Sequence, residues 1–150
     1  MALSSPDEIR FTVPGEPQGK GRARVGTVAG KARMFTPAKT VAYEGLIAIA
    51  AQEAMNGNDL FQGPVMVEVL MHCPIRPSWS KKKQAQALAG DIYPTSKPDA
   101  DNCLKAVCDA LNGVAWKDDT QATDIHMRKR FSNTPRVDVI ITPLSKAGSS

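Results

Sequence analysis

The stretch KPDADNCLK, residues 97–105, sets Asp99 and Asp101 two positions apart, follows them with Asn102, and brings Lys105 four positions after Asp101. About one helix length later comes a second acidic pair, Asp118-Asp119. Carboxylates within a few ångströms repel one another by roughly 4 kcal/mol per pair at an effective dielectric of about 20. A divalent cation removes that repulsion. Hard oxygen donors select magnesium or manganese, typically completed by water and substrate phosphate. Such an ion activates water and neutralises charge on a phosphoryl group, and a nearby lysine stabilises the same charge or helps to deprotonate the nucleophile.

A simpler reading uses the same residues. Asp101 would cap the free amides at a helix start, and both acids would favour the positive end of the helix dipole. Other metal motifs fit poorly. An EF-hand loop beginning at Asp99 needs an acid or amide where Cys103 stands, glycine where Leu104 stands and glutamate where Ala110 stands. A phosphatase D-x-D calls for an apolar strand where this chain has TSKP. Zinc lacks a second ligand pair beside the adjacent His72 and Cys73.

The elements that must position these residues follow from periodicity. Alternation in residues 8–13 puts Ile9, Phe11 and Val13 on one side of a strand that ends at Pro14-Gly15. A glycine- and cation-rich loop and an irregular hairpin follow. Thr36-Pro37 starts a helix that Asn56-Gly57 stops, with Ala42, Leu46, Ile49, Ala50 and Ala54 at helical spacing. Val65, Val67, Val69, Met71 and Cys73 share one face of a second strand, and a short helix spans Lys81 to Leu88. The acidic motif then opens a helix with Leu104, Val107, Cys108 and Leu111 along one stripe, closed by Asn112-Gly113. Two strands complete the chain: ATDIHMRKRF, with Ile125, Met127 and Phe131 on one side, and RVDVIIT after a turn at Asn133-Thr134-Pro135. The order β, hairpin, α, β, α, α, β, β predicts an α+β fold, a mixed β-sheet with helices packed on it. For Asp119 to approach Asp99, the chain must run back along a helix about 18 Å long.

Length and composition set bounds. At 150 residues the chain has the size of one domain, spanning 1–150 with a flexible tail from about 145. With 42% hydrophobic and 23% charged residues, and no apolar run of membrane-spanning length, it is expected to be soluble and to have no membrane partner. Its three cysteines, Cys73, Cys103 and Cys108, form no C-x-x-C pair, which suits buried thiols in a reducing compartment; the expected location is cytoplasmic. The net charge of +4 is unevenly laid out. Between Pro17 and Tyr43 stand Lys20, Arg22, Arg24, Lys31, Arg33 and Lys39 with no acid, while six of the fifteen acids fall between Asp99 and Asp124. A basic stretch of this kind suits a polyanion.

The run KPDADNCLKAVCDALNGVAWKDDTQ, residues 97–121, resembles the signature of RusA-type Holliday junction resolvases. VPGEPQGKGRAR and FTPAKTVAYE are similar to that family's basic loop and first helix, with Ala23 at a position where a proline is common. The resemblance implies a RusA-like fold and a homodimeric endonuclease, often carried by phages and prophages, that depends on Mg2+, with Mn2+ as a substitute. It implies that Asp99, Asp101 and Asp119 bind the metal and that Lys105 is the catalytic lysine. Asp118 is a further candidate ligand, and Asp109 is read as a structural acid that pairs with a basic residue. Lys20, Arg22, Arg24, Lys31 and Arg33 would then bind phosphates of a four-way DNA junction, with His126, Arg128 and Arg130 extending that surface. Trp79 and Trp116 are expected in the core or at a dimer contact, with base-stacking platforms as the alternative. The function expected is paired phosphodiester hydrolysis at Holliday junctions in recombination and repair. The alternatives are a nuclease for flaps and other branched DNA, and a junction-binding protein without catalysis.

Overall fold

In three of its four strands, buried and more exposed positions alternate, which gives the central sheet a dry face and a wet one. The computed structural model describes residues 4–21, 24–35 and 38–144. Strand β1 (Ile9–Pro14) is followed by the hairpin strands β2 (Arg24–Val28) and β3 (Lys31–Phe35), helix α1 (Ala38–Met55) and strand β4 (Val65–Pro74). Helices α2 (Lys81–Leu88) and α3 (Ala100–Leu111), a 3-10 turn at Asp119–Gln121, and strands β5 (Ala122–Ser132) and β6 (Arg136–Pro143) complete the described chain. The main sheet has the order β1-β6-β4-β5. Strand β6 is antiparallel to both β1 and β4, and β5 is parallel to β4. This is the α+β arrangement expected from the order of elements.

The parallel pair matters for the acidic motif. Two parallel neighbours cannot be joined by a tight turn, so the chain must cross between β4 and β5 through a long connection. That connection contains α2, α3 and every acid of the motif. The dry face of the sheet carries Ile9, Phe11 and Val13 beside Val137, Val139 and Ile141, and these beside Val65, Val67, Val69 and Met71, all buried. Helices α1 and α3 cover it with Tyr43, Ile47, Ala51 and Met55 from one and Cys103, Val107 and Leu111 from the other.

In α1 the stripe expected from spacing is displaced. Leu46 and Ile49 are exposed, and Tyr43, Ile47 and Ala51 are buried in their place. The helix is apolar around most of its circumference, so spacing alone does not choose a face; the bulky Tyr43 ring settles in the core and turns Val41, Leu46 and Ile49 outward. Its expected Thr36-Pro37 start lies outside the described residues, as does the tail from 145; its end at Asn56 and Gly57, both at positive φ, is as expected. Trp116 is fully buried, while Trp79 is half-buried with its ring edge-on to Phe131, the centroids 5.3 Å apart. All three cysteines are free and buried. Among the described residues, no helix is long and apolar enough to cross a membrane.

On the wet face, Asp138 of β6 joins three strands. Thr12 of β1 donates to Oδ1 at 2.8 Å, His72 Nε2 of β4 lies 2.8 Å from Oδ2, and Arg136 Nε is 3.3 Å from Oδ1. Partial burial would raise the Asp138 carboxyl, but the hydrogen bonds of Thr12 and His72, with the charge of Arg136, outweigh it and hold the group below its ordinary value. A depressed carboxyl contributes stability that is fully present above its unfolded pKa, about 3.9, and lost as pH falls through the folded value. Asp138→Asn should therefore cost about 1–3 kcal/mol at neutral pH, measured by urea unfolding. The variant's unfolding free energy should also fall less than that of the parent on acidification from about pH 5.

Candidate active site

Helix α3 divides the charged motif from the core. Cys103, Ala106, Val107, Cys108, Ala110 and Leu111 are buried, while Asp101 and Lys105 are exposed and Asp109 is half-buried. Asp101, Lys105 and Asp109 recur every four residues and so lie along one side of the helix. The helix closes at Asn112, with Gly113 at φ +80°, where a side chain would be strained.

Asp101 does not take the cap position. The helix begins at Ala100, so Asp99 is its N-cap, in extended conformation, and the Asp99 carboxylate accepts no capping hydrogen bond. Asp101 sits in the first turn, where its charge favours the helix dipole. Among the described residues, the side chains of Asp99, Asp101 and Lys105 make no hydrogen bond and no ion pair.

Two segments bracket that helix. The loop after β1 lies against its first turns: the Lys20 amide donates to the Asn102 carbonyl at 3.0 Å, and the Gly21 amide to Thr40 Oγ1 of α1 at 2.8 Å. Gly19 allows the approach, since a Cβ there would stand 3.0 Å from the Asn102 Cβ. Lys20 Nζ then hydrogen-bonds Asp109 and lies 3.3 Å from Glu44 Oε2 of α1. The bond to Asp109 raises the Lys20 ammonium above its ordinary value, with Glu44 adding to it against the cost of burial. Asp109 thus pairs with a basic residue, as its place in the motif suggested. Lys20 is held inward by two acids.

The second bracket is the return from α3. Trp116 anchors it, with Nε1 donating to Asn112 Oδ1 at 2.7 Å. Gln121 ties the next turn down: its Oε1 accepts from the Lys117 and Asp118 amides at 3.0 and 3.3 Å, and its Nε2 donates to the Phe61 and Gly63 carbonyls at 2.8 and 3.0 Å. Asp118 caps this turn, accepting from the Thr120 amide at 3.0 Å, a bond that holds its carboxyl below the ordinary value. Asp119, half-buried, lies beside Asp118, Asp109 and Asn112. Burial raises its carboxyl first, and the neighbouring Asp118 and Asp109 raise it further. Cys108, under the same acids, is pushed up to about 12 by burial and by Asp119 and Asp109.

Asp119 therefore meets the last turns of α3, through Asp109 and Asn112, while Asp99 and Asp101 stand at the first. Among the described residues, no three of His, Cys, Asp and Glu gather closely enough to hold a metal ion by themselves. The donors at the first turn do suit magnesium, which binds through one or two carboxylates and completes its shell with water and phosphate oxygens. Both are exposed, unpartnered and hard.

Of the expected phosphate contacts, Lys31 is exposed at the start of β3. Arg22 lies outside the described residues, as do the side chains of Arg24 on β2 and Arg33 on β3. Gln121 and Glu44 are positioning residues that the acidic spacing did not single out. Gln121 was visible as a residue three positions after Asp118, the spacing of a capping box. Glu44 had no such signal, because its partner Lys20 is distant in sequence.

Residues 14–142 match the family model described as endodeoxyribonuclease RusA. The chain is also 40% identical over 141 residues to the uncharacterized protein YqaN of Bacillus subtilis (strain 168), covering 93% of this chain and 99% of that one. The match takes in the loop that carries Lys20, all of α3 and the capped turn at Asp118. By that match, the chain belongs to the RusA endodeoxyribonuclease family.

Proposed function

We propose that the protein is a magnesium-dependent, structure-selective DNA endonuclease that resolves four-way junctions in recombination and repair, and that it works as a homodimer in the cytoplasm. The observation that carries this reading is the set of charges at the first turn of α3. Asp99 and Asp101 are exposed and, among the described residues, make no side-chain hydrogen bond or ion pair, and Lys105 stands one turn further along. Of the other acids of the motif, Asp109 has Lys20 and Asp118 has the Thr120 amide.

In this reading Asp99 and Asp101 hold the metal, with Mn2+ as a substitute for Mg2+, while Asp119, which meets the last turns of α3, contributes charge from the far end of that helix. When bound, the ion supplies charge neutralisation at the scissile phosphate and a more acidic water. Lys105 orients the phosphate and offsets charge that develops on its oxygens. Lys20 is a positioning residue: it holds the loop, α1 and α3 in one arrangement and leads into the basic hairpin. Lys31, Arg22, Arg24 and Arg33 contact junction phosphates. Asp118 and Gln121 present Asp119 on a fixed turn, so Asp118 is assigned to positioning and not to the metal.

The dimer is supported by the outer face of α1, where Val41, Leu46 and Ile49 are 58%, 48% and 59% exposed on one helix. Exposed apolar residues grouped on one element suit a second copy, and a twofold dimer matches the symmetry of a four-way junction.

Three outcomes are expected. Asp101→Asn should abolish cleavage of a synthetic four-way junction, read on a denaturing gel, while leaving the unfolding free energy within about 0.5 kcal/mol, because no structural partner is lost. A double-mutant cycle of Lys20→Met and Asp109→Asn should give a coupling of about 0.5–3 kcal/mol in urea unfolding. Leu46→Glu with Ile49→Glu should give a monomer by analytical ultracentrifugation and should lose the paired cuts on opposing strands.

A further inference from the structure

Beyond the carboxyl ends of the parallel strands β4 and β5 lies a pocket of about 290 Å³, closed on one side by α2 and on the other by the loop between α2 and α3. Its lining combines cations with aromatic rings and contains no acid: Arg76, Trp79, Lys83, Tyr93, Lys97 and Phe131 contribute to it. Lys83 Nζ stands 4.1 Å from the Trp79 ring centroid and Arg76 Cζ stands 5.8 Å from it. Arg130 Cζ lies 4.5 Å from the centroid of Tyr93, which is 57% exposed.

The frame of the pocket is fixed. Lys129 Nζ donates to the Ser96 carbonyl at 2.6 Å, and Arg76 Nη2 to Ser96 Oγ at 3.1 Å, so the loop is tied to β5 and to the end of β4. Trp79 is held edge-on by Phe131, and Gln84 Nε2 donates to its carbonyl at 2.8 Å. More than half of Tyr93 stays open to solvent beside these cations, with Arg130 over its ring. The last lining residue, Lys97, is two positions from Asp99.

Rings with free faces take a nucleobase of any sequence by stacking, and surrounding cations take its phosphate. A buried apolar ligand would leave these cations unpaired, and a duplex with all its bases stacked offers no free base. An unpaired nucleotide satisfies both halves of the lining. We propose that this pocket is a second DNA-contact site, which receives an unpaired or unstacked nucleotide of a branched DNA. Its base stacks on Tyr93 and its phosphate lies among Arg76, Lys83 and Lys97. The proposal rests on the endonuclease reading and adds a basis for selecting branch points: linear duplex presents phosphates but no free base.

The test uses the full chain, a fluorescein-labelled four-way junction, a linear duplex of the same length and a single-stranded dT oligonucleotide, with affinities read by fluorescence anisotropy. Tyr93→Ala should weaken binding of the junction and of the dT oligonucleotide by roughly 5- to 100-fold, the range that stacking of one base supplies. Linear duplex should change less than about twofold, and Tyr93→Phe should bind as the parent does, since the stacking face is kept. Lys83→Ala, which leaves the ring in place, should lower the slope of log affinity against log salt by roughly one unit. Equal losses on junction and duplex for Tyr93→Ala, or no loss on either, would overturn the proposal. The endonuclease reading fails separately: a parent protein that cuts no junction, yet binds the dT oligonucleotide through Tyr93, sinks that reading and leaves the pocket standing.

Discussion

Lys20 Nζ, partly buried, lies between Asp109 of α3 and Glu44 of α1, and the arrangement of the site follows from that contact. A charge withdrawn from water is tolerated only where it is paired, and breaking such a pair is costly because the remaining charge keeps its desolvation without compensation. The contact therefore fixes three segments together: the loop after β1, the first helix and the helix of the acidic motif. Backbone bonds from Lys20 to Asn102 and from Gly21 to Thr40 hold the same loop at two further points. The chain that leaves this loop is the basic hairpin, so the clamp also sets where the positive charge departs from the body of the molecule.

The second constraint is topological. Parallel pairing of β4 with β5 obliges the chain to cross over, and the crossover is where both the motif helix and the cation-aromatic pocket reside. One side of α3 is buried with the sheet, which leaves the opposite side for charge. Along that side the acids differ in their company. Asp109 has Lys20, Asp118 has a backbone amide, Asp119 is crowded by other acids, and Asp99 and Asp101 have no side-chain partner among the described residues. Membership of an endodeoxyribonuclease family fits that distribution.

Much of this was legible in the sequence, for physical reasons. Alternation in β1, β4 and β6 fixed which residues face the core, because a strand has two sides and one was apolar throughout. The helix of the motif was equally clear, with a polar side opposite an apolar one and Asn112-Gly113 to end it. Helix α1 was less clear because alanine, leucine, isoleucine and valine surround it; its length was readable and its buried stripe was not. The cap at Asp99 in place of Asp101 is a shift within the first turn, and the sequence around either aspartate suits a cap equally. Lys20 read as one of six cations in a basic run, since partners on α1 and α3 leave no local trace. The pocket is the opposite case. Its parts, RPSWSKKK and DIYPTSK, read only as a helix start and a loop, and only the crossover brings their cations and rings to the same opening.

The central claim is that the exposed acids at the start of α3 serve a metal-dependent cut at branched DNA. Its most direct measurement is a cleavage time course of the purified full chain on four-way, three-way and linear DNA, started by adding magnesium to preformed complexes. Paired cuts in the four-way junction should begin only on magnesium addition, with linear DNA left intact. Cleavage of the junction in excess chelator, or junction binding with no cleavage at any magnesium concentration, would contradict it.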